Sequence, residues 1–404
     1  MSILNGKKVL LGISGGIAAY KSANLVRLII KSGAEVQVIM TPSSKSFITP
    51  LTLSTLSKNE VYSEFFDEEK ENKMWNNHVE MAMWADYFII APATSNTISK
   101  MASARANNLL IATYLSAKCP VFFAPAMDLD MHKNKGNQTN IKKLIKHGNI
   151  HIPASSGFLA SGLEGEGRMM EPNEIVDFIS TYILRKKKLF GKKVLITAGP
   201  TFEYIDPVRY IGNFSSGKMG FALANIAAEL GAEVYLVTGP SALTIKSDRI
   251  KKIDIISADE MFKISSDLFK KCDIAILSAA VSDFKPKKVN RKKIKKENFK
   301  NLSIELVPNI DILKTLGSQK TNQILVGFAL ETENGLENAY KKIDQKNLDA
   351  IVLNNFHDKG AGFNSDTNKI TFINNKKEFN EFKLKSKEKV SLDIFNQILK
   401  IIDE

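Results

Sequence analysis

The strongest constraint on the fold of this chain is a pattern that it contains twice. Residues 6–10 (GKKVL) recur at 191–195, and residues 33–36 (GAEV) recur at 231–234. Each copy has a basic lead-in, an apolar strand, a Gly/Ser-rich turn, a helix and a second apolar strand, which is how a doubly wound α/β domain begins. The turn after the first strand directs backbone N–H groups and a helix N-terminus at an anion. The repeat therefore predicts two phosphate-bearing ligands, and two active sites, on one chain.

Strands and helices alternate through both halves of the chain, which favours mostly parallel sheets. We predict an α/β protein with two doubly wound, Rossmann-like domains at 1–184 and 191–404, joined by a basic linker at 185–190. The strand order is left open. The predicted strands are 9–13, 36–40, 87–91, 121–124 and 150–152, then 194–197, 233–237, 274–277, 324–328 and 350–354, with a closing hairpin at 369–373 and 381–384.

The net charge of +13 bears on the partners of the protein. The lysines are spread along the chain and do not form a stripe with interleaved aromatics, so anionic small molecules are favoured over nucleic acid as partners. No apolar run approaches the roughly 18 residues of a membrane span, and the N-terminus has no signal-peptide anatomy. Cys119 and Cys272 belong to no ligand-spaced cluster. We expect a cytoplasmic protein that binds neither membrane nor nucleic acid.

The first Gly-rich turn predicts a mononucleotide site. Its candidate ligand-binding residues are Gly12, Ser14, Gly15 and Gly16. They lack the G-x-G-x-x-G spacing of a dinucleotide site, and the second strand ends near Thr41 and Ser43, without the acidic residue that would hold an adenosine ribose. A mononucleotide is therefore favoured over NAD, although this loop by itself also fits a plain tight turn.

Further motifs follow the later strands, where doubly wound sheets bind ligands. They are 91–98 (APATSNTI, with Pro92, Ala93, Thr94 and Asn96), Lys100 with 106–110, 125–128 (PAMD) and a Gly-rich loop at 156–169. In this set and order, the motifs of residues 1–184 resemble the flavin-containing cysteine decarboxylases, specifically phosphopantothenoylcysteine decarboxylase.

This resemblance implies a flavodoxin-like domain with bound FMN. It implies that the flavin oxidises the cysteine thiol to a thioaldehyde, so that the adjacent carboxylate leaves as CO2, and then returns its electrons to the enethiol. His78 matches the essential histidine of the family, and a histidine suits proton transfer near neutral pH.

Two further candidate catalytic residues, Asp128 and Ser161, depart from the family pattern. The family has an Asn in place of Asp128 to orient the substrate carboxylate, which an ionised Asp would repel. It has a proton-donating cysteine in place of Ser161, and serine is the poorer donor. We favour a lineage variant with another proton donor, the alternative being a flavoprotein that stalls at the reduction step.

The second copy of the repeat carries an insertion. Its GKK and GAE motifs start 40 residues apart, against 27 in the first copy. The insertion contains Asn213 and leads into a helix start that offers hydroxyls, N–H groups and a lysine to a polyphosphate: Ser215, Ser216, Gly217 and Lys218. The spacing is not that of a Walker A loop.

Together with 279–284 (AAVSDF) and Lys293, these motifs closely resemble phosphopantothenate–cysteine ligase from 191 to about 400. The resemblance implies CTP, usually with Mg2+. The phosphopantothenate carboxylate forms an acyl cytidylate and releases pyrophosphate, and the cysteine amine then forms the amide and releases CMP. It implies that Asn213 serves the acyl cytidylate and Lys293 the nucleotide. The other implied nucleotide contacts are Ala279, Asp283, Asn309, Ile310, Asp311, Ile312, Leu313, Phe328, Lys342 and Lys346. For Lys342, the alternative that it is only a solvated lysine on a helix surface is left open. No metal ligands are predicted.

The sequence thus predicts a bifunctional enzyme of coenzyme A biosynthesis. Its substrates would be 4′-phosphopantothenate, cysteine, CTP and 4′-phosphopantothenoylcysteine. The resemblance also implies a homo-oligomer, with trimeric decarboxylase units joined by ligase dimers, often as dodecamers. An NAD(P) oxidoreductase is disfavoured because both copies lack the dinucleotide fingerprint. The remaining alternatives are a non-catalytic flavin-binding module and an active ligase with an impaired decarboxylase half.

Overall fold

The computed structural model describes residues 2–66, 75–295, 302–355, 357–358, 360 and 365–403. Its contacts divide the chain into two units, Met1–Leu184 and Arg185–Glu404, each with its own sheet and core. The expected linker is not wholly solvated, because Leu189 is fully buried in the core of the second unit. Among the described residues, no helix is long and apolar enough to cross a membrane.

A parallel sheet forms the centre of the first unit. In its described part, the strands lie in the order β3-β2-β1-β4-β5-β6. They are β1 Lys8–Ile13, β2 Glu35–Met40, β3 Val61–Tyr62, β4 Tyr87–Ala93, β5 Val121–Pro125 and β6 Ile150–His151. The Rossmann-like prediction is confirmed, but this is not the 2-1-3-4-5 order of a flavodoxin-like sheet. The reason is β3, which continues the sheet outward from β2 before the chain crosses back to β4.

Helices cover both faces of this sheet, which is why its strands read as near-continuous apolar runs. They are α1 Ser22–Lys31, α2 Pro50–Ser57, α3 His78–Trp84, α4 Ser95–Ser103, α5 Leu109–Ser116, α6 Leu129–Lys133, α7 Lys135–Lys146 and α8 Pro172–Arg185. Short 3-10 turns at Ile17–Lys21 and Pro42–Ser46 follow β1 and β2. The predicted Gly-rich loop is an antiparallel hairpin, β7 Ser155–Phe158 with β8 Glu164–Arg168.

The second unit has a larger mixed sheet. Over its described residues, the order is β13-β12-β9-β14-β17-β18-β19-β20, parallel except for the last two strands. These strands are β9 Lys193–Ala198, β12 Glu233–Thr238, β13 Ile250–Asp254, β14 Ile274–Leu277, β17 Ile324–Glu331, β18 Ala350–Asn355, β19 Thr367–Asn374 and β20 Phe379–Ser386. Two small antiparallel pairs lie outside it: β10 Phe202–Tyr204 with β11 Tyr210–Gly212, and β15 Phe284–Pro286 with β16 Leu306–Pro308.

The helices of the second unit again lie on both faces. They are α9 Lys218–Glu229, α10 Ala258–Phe269, α11 Ile312–Gln319, α12 Gly335–Lys346 and α13 Lys387–Asp403. The helices α9 and α13 pack together over one face through apolar residues that include Leu223, Ile394 and Phe395. The opposite face carries α10, α11 and α12. Because helices cover both faces of each sheet, ligands reach it at the carboxyl ends of its strands. The Gly-rich turns begin there, after β1 in the first unit and after β9 in the second.

Candidate active sites

The first unit has a cavity of 490 Å³ beyond the carboxyl ends of β1, β4 and β5. This volume lies within the range of about 300–1,000 Å³ that is usual for small-molecule sites. The cavity is lined by Gly15, Thr41, Ser43, Thr94 and Asn96 from the predicted set, and by Ser95, Lys100, Asn107 and Asn108 among others. The predicted residues Gly12, Ser14, Gly16, Pro92 and Ala93 are not part of this lining.

Ser14 holds two of the cavity loops together. Its hydroxyl donates to the Pro92 carbonyl oxygen at 2.7 Å and accepts the Thr94 backbone N–H at 3.0 Å. Ser14 is buried, so its hydroxyl is used within the protein. The turn after β1 and the loop after β4 are thereby fixed relative to each other.

The glycines of the first turn are required by close approach. A Cβ on Gly15 would lie 2.4 Å from Ser43 Oγ, and a Cβ on Gly16 would lie 3.2 Å from Thr94 Cγ2. Side chains at these positions would displace the loops that form the cavity wall. Gly12 is packed within the core, since a Cβ there would lie 3.1 Å from Leu110 Cδ1.

The chemistry of the lining fits a phosphate-bearing group. Hydroxyls, side-chain amides and the Lys100 ammonium provide donors, and none of the lining residues is a carboxylate. Phosphate oxygens accept from such donors, and the adjacent backbone of the turn adds N–H groups. The residues present thus suit an anionic mononucleotide such as FMN.

The hairpin of β7 and β8 folds back onto the chain segment that follows β5. The Met127 backbone N–H donates to the Gly167 carbonyl oxygen at 3.0 Å. A Cβ on Gly167 would lie 2.4 Å from the Met127 oxygen, and one on Gly165 would lie 2.6 Å from Leu129 Cδ1. Only glycine permits this contact, which explains the Gly-rich sequence.

The hairpin joins the two residues that depart from the family pattern. Ser161, at its tip, donates a hydrogen bond to Asp128 Oδ1 at 2.9 Å. The same oxygen accepts the Leu129 backbone N–H at 2.7 Å, so Asp128 also caps α6. Asp128 does not line the 490 Å³ cavity, but its neighbour Met127 does. The two departures are therefore physically coupled beside the cavity.

His78 is not among the residues that line the cavity. It is the first residue of α3, and its ring meets Phe65 and Trp75 edge-on, with centroid separations of 6.3 and 5.9 Å. Its Nδ1 atom is buried and has no hydrogen-bond partner within the described residues. One copy of the first unit thus does not bring His78 to the cavity.

The second unit has a cavity of 240 Å³ beyond the ends of β14 and β17. Nine of the predicted nucleotide-contact residues line it: Ala279, Asp283, Asn309, Ile310, Asp311, Ile312, Leu313, Phe328 and Lys346. They come from four separate stretches of the chain. Their convergence on one cavity is the main geometric observation in this unit.

Lys346, Asp311 and Asn309 contribute polar groups to this cavity. Lys346 pairs with Asp311 at 2.8 Å, and the Asp311 carboxylate also caps α11. Partial burial raises the pKa of Asp311, but the Lys346 ammonium and the Lys314 N–H outweigh it and hold the pKa below its ordinary value. Asn309 donates to the Ser282 carbonyl oxygen at 2.8 Å, whereas its buried Oδ1 has no partner among the described residues. Asn309 therefore offers an acceptor to a ligand N–H group.

Other predicted residues of the second unit lie outside the cavity lining. Asn213 is at its rim, where Nδ2 donates to the Val281 carbonyl oxygen at 2.8 Å. Lys342 instead pairs with Glu331 at 2.5 Å. Lys293 is exposed.

The helix start at α9 is a separate cluster. Ser215 Oγ accepts the Gly217 N–H at 3.2 Å, and Ser216 Oγ accepts the Lys218 N–H at 3.5 Å. Lys218 Nζ pairs with the exposed carboxylate of Asp366 at 2.7 Å. These residues do not line the 240 Å³ cavity, so the structure separates the predicted polyphosphate contacts from the predicted nucleotide contacts that line it.

Comparison with known proteins places the whole chain. Residues 2–184 match the family model Flavoprotein, and residues 189–402 match that of the DNA/pantothenate metabolism flavoprotein C-terminal domain. The coenzyme A biosynthesis bifunctional protein CoaBC of Bacillus subtilis (strain 168) is 43% identical over 98% of this chain and 97% of its own length. The chain belongs to the family of bifunctional coenzyme A biosynthesis proteins. This family member is a bifunctional enzyme, with a flavoprotein decarboxylase domain followed by a ligase domain.

Three further proteins are similar to this bifunctional family member. CoaBC of Haemophilus influenzae is 43% identical, over 98% of each chain. The solved C-terminal domain of a CoaBC protein is 41% identical over 54% of this chain and 99% of its own, with a TM-score of 0.47. One relative, from an unknown prokaryotic organism, is 51% identical over 88% of this chain and 99% of its own, and is named cysteine/cysteine sulfinic acid decarboxylase.

Some site features of this bifunctional enzyme were not found from its sequence. Asn309 is one of the implied nucleotide contacts, but the sequence could not show that its Oδ1 is left without a partner among the described residues, because that depends on burial. Lys21 is buried and pairs with Glu171 at 2.7 Å, which anchors the start of α1 to the chain after the hairpin. A lysine within the first motif was a visible signal, but its partner is 150 residues away.

Proposed function

We propose that the second unit ligates 4′-phosphopantothenate to cysteine with CTP, and that the first unit decarboxylates the 4′-phosphopantothenoylcysteine to 4′-phosphopantetheine with FMN. The observation that carries the proposal is the convergence of separate motifs on one cavity in each unit. The full-length similarity to CoaBC proteins supports both activities on this chain.

In the first unit, the turn after β1, Lys100 and the hydroxyls of Thr41, Ser43 and Thr94 would hold the FMN. When bound, FMN supplies a two-electron oxidant for the cysteine side chain and a reductant for the last step. The hairpin of β7 and β8 packs on Met127, which lines the cavity. His78 is proposed to transfer the proton. Its buried Nδ1 atom has no hydrogen-bond partner among the described residues, which supports a role in proton transfer.

The Asp128–Ser161 pair is proposed to replace the Asn and Cys of the family. The Asp128 carboxylate has two neutral donors, the Leu129 N–H and the Ser161 hydroxyl, which partly offset its charge. Because its charge is partly offset, Asp128 would repel the substrate carboxylate less, which supports a position for Asp128 beside that carboxylate. The alternative of a ligase with an impaired decarboxylase half predicts that the reduction step fails.

A second candidate for the first unit is decarboxylation of free cysteine or cysteine sulfinic acid, the substrates in the name of the 51% identical relative. A free α-ammonium group would be attracted to the Asp128 carboxylate, whereas phosphopantothenoylcysteine has no such cation because its amine is acylated. Free cysteine is already present in the ligation assay, so both activities are measured together.

In the second unit, the cavity of 240 Å³ is proposed to hold the cytosine and ribose of CTP. The unpaired Asn309 Oδ1 supports a base with an exocyclic amino group. Lys346, Lys218 and Lys293 would offset phosphate charge as pyrophosphate leaves, and Asn213 would serve the acyl cytidylate. Lys346, Lys218 and Lys342 would each exchange a carboxylate partner for phosphate, namely Asp311, Asp366 and Glu331.

Mg2+ is proposed to arrive with the triphosphate. The described residues contain no group of three or more His, Cys, Asp or Glu side chains that would hold a metal ion. Mg2+ bound to nucleotides usually keeps several waters and takes one or two carboxylates. A homo-oligomer of trimeric decarboxylase units and ligase dimers is also proposed, on the family resemblance alone. Cytoplasmic location and the absence of a nucleic-acid partner stay predictions of the sequence.

The test follows both steps by mass spectrometry in one reaction with phosphopantothenate, cysteine and either CTP or ATP. We expect pyrophosphate, CMP and phosphopantothenoylcysteine, followed by CO2 and 4′-phosphopantetheine. Accumulation of the enethiol would support an impaired decarboxylase half. CO2 release without phosphopantothenate would favour the free-cysteine activity, and the absence of pyrophosphate would contradict the ligase.

A further inference from the structure

A turn at residues 205–209 joins β10 to β11 and also holds a distant part of the chain. The fully buried Asp206 carboxylate accepts the Val208 and Arg209 N–H groups on Oδ1 at 2.8 and 2.9 Å, and the Ile294 N–H on Oδ2 at 3.1 Å. Burial raises the pKa of Asp206, but the backbone N–H donors and the Arg209 guanidinium outweigh it and hold the pKa below its ordinary value. The carboxylate is therefore charged at neutral pH, and its charge is used to bind backbone.

Arg209 holds the same distant residue on its other side. Its Nη2 donates to the Ile294 carbonyl oxygen at 2.7 Å, while Nε lies 3.6 Å from Asp206 Oδ2. Both backbone polar groups of Ile294 are thus bound by the turn. A third link joins the Asn290 N–H to the Ile205 carbonyl oxygen at 2.9 Å.

Lys293 lies within the segment that these three bonds fasten. Its side chain is exposed, and no ion pair or hydrogen bond joins it to the part of the chain that the structure describes. The backbone bonds at Asn290 and Ile294 therefore determine where its ammonium group can reach. The other arm of the same turn is β11, which leads to Asn213 at the cavity rim.

We infer that Asp206 and Arg209 are positioning residues for the nucleotide-dependent ligation, because together they fix Lys293 relative to Asn213. The inference rests on the proposed role of Lys293 at the nucleotide. A lysine on an untethered loop would have to be ordered in each turnover, at a cost in chain and side-chain entropy. The tether removes most of that cost before CTP binds. Neither Asp206 nor Arg209 need touch a substrate for this effect.

The experiment measures pyrophosphate release by the full-length enzyme at varied CTP concentration. Lys293→Met should lower kcat/KM for CTP by about 10²–10³-fold, as expected for loss of a charge-stabilising donor. Asp206→Asn and Arg209→Met should each raise KM for CTP and lower kcat/KM by roughly tenfold, since about 1.4 kcal/mol of ordering returns to each turnover. The double variant Asp206→Asn/Lys293→Met should be no worse than Lys293→Met alone, because both changes act through one side chain.

Arg249→Met is the matched control. Arg249 also donates to backbone carbonyl oxygens, those of Gly231 and Ala232, at 3.0 and 3.1 Å, but does so away from the cavity. We expect its KM for CTP to be unchanged.

Three outcomes would overturn the inference. Additive losses in the double variant would mean that Asp206 does not act through Lys293. An unchanged KM for CTP in both Asp206→Asn and Arg209→Met, with only a smaller folded fraction, would show a purely structural role. Normal CTP kinetics in Lys293→Met would remove the role of Lys293 itself. The proposed ligase is tested separately, because its failure would appear as no pyrophosphate release from the unsubstituted enzyme.

Discussion

At the scale of single residues, the first cavity depends on glycines, which have no side chain, as much as on the residues whose side chains line it. The turn after β1 can approach Ser43 only because Gly15 has no Cβ. The sequence showed that the turn is Gly-rich, but which glycine meets which loop depends on the packing of β2 beside β1. Contacts of this kind cannot be derived from local sequence, because the two partners are far apart in the chain.

Gly15→Val should abolish flavin retention. The new side chain would overlap Ser43, which a Cβ alone would approach to 2.4 Å, and the loop that lines the cavity would move. The measurement is the flavin absorbance of the purified protein and its FMN content. Gly148→Asn is the control, since Gly148 has φ +90° with nothing within 4 Å of a Cβ, and Asn tolerates that conformation. A fully yellow Gly15→Val protein would contradict the assignment of this cavity.

Asn213→Asp should leave CTP binding intact and stall the ligation. The amide Nδ2 donates to the Val281 carbonyl oxygen at 2.8 Å, and a carboxylate there would instead repel that oxygen. CTP affinity by calorimetry and amide formation by mass spectrometry separate the two effects. Asn347→Asp is matched, because its Nδ2 also donates to a carbonyl oxygen, that of Gly317, at 3.0 Å. Normal amide formation in Asn213→Asp would refute the proposed role.

Ser161→Ala should slow the completion of the decarboxylase reaction with little loss of stability. It removes the 2.9 Å hydrogen bond that orients Asp128, at an exposed site where such a bond contributes about 0.5–1.5 kcal/mol. The expected result is a higher ratio of enethiol to 4′-phosphopantetheine at equal flavin content. An unchanged ratio would mean that the pair is not part of the reduction step.

At the scale of elements, the sequence predicts those with a strong apolar period and misses the others. The strands β1, β2, β4, β9 and β12 were visible as buried apolar runs. The strand β3 has only two residues, and β13 contains lysines, so neither gives that signal. The hairpin of β7 and β8 reads as a loop because its glycines conceal the strand pattern, and only its packing on Met127 explains them.

The expected linker provides an element-scale prediction. Leu189 is fully buried in the second core, and its N–H donates to the Leu230 carbonyl oxygen at 2.8 Å. Leu189→Ala should therefore destabilise the second unit by about 2–5 kcal/mol, as for other buried leucines. The loss of stability would be measured by urea unfolding, with the loss of CTP-dependent pyrophosphate release as the signal. The exposed neighbour Lys188→Ala should shift the unfolding free energy by less than about 0.5 kcal/mol, and equal effects would show that the segment is not docked.

At the scale of the whole molecule, the repeat in the sequence predicts two doubly wound sheets, and the structure shows that they share the same inner strand order, which the sequence left open. It could not indicate that their cavities differ in content. The first cavity is lined by hydroxyls, amides and Lys100 with no carboxylate, whereas the lining of the second includes the carboxylates of Asp283 and Asp311. Nine residues that line the second cavity are among the nucleotide contacts that the family resemblance implies, and their roles stay predictions. The separation of Ser215–Lys218 from that cavity was not anticipated, because it depends on the path of the insertion.

Because the two units have separate hydrophobic cores, we expect each unit to be stabilised only by its own ligand. FMN should stabilise only the first unit and CTP only the second, each by about 2.7 kcal/mol at a free concentration of one hundred times Kd. Differential scanning calorimetry of the full-length protein with each ligand in turn is the measurement. UTP is a suitable control for CTP if the Asn309 acceptor selects an amino group. A single transition that shifts equally with both ligands would contradict independent cores.

Some of the excess lysines lie on the two outer strands of the second sheet. Across the described residues, β13 and β20 are the two edges of that sheet, and each carries lysines: Lys251 and Lys252 on one, Lys383 and Lys385 on the other. An edge strand presents unpaired backbone groups to which a strand of another molecule can add. Lysines on an edge strand disfavour such addition, so we expect those on β13 and β20 to reduce edge-to-edge aggregation of the folded enzyme.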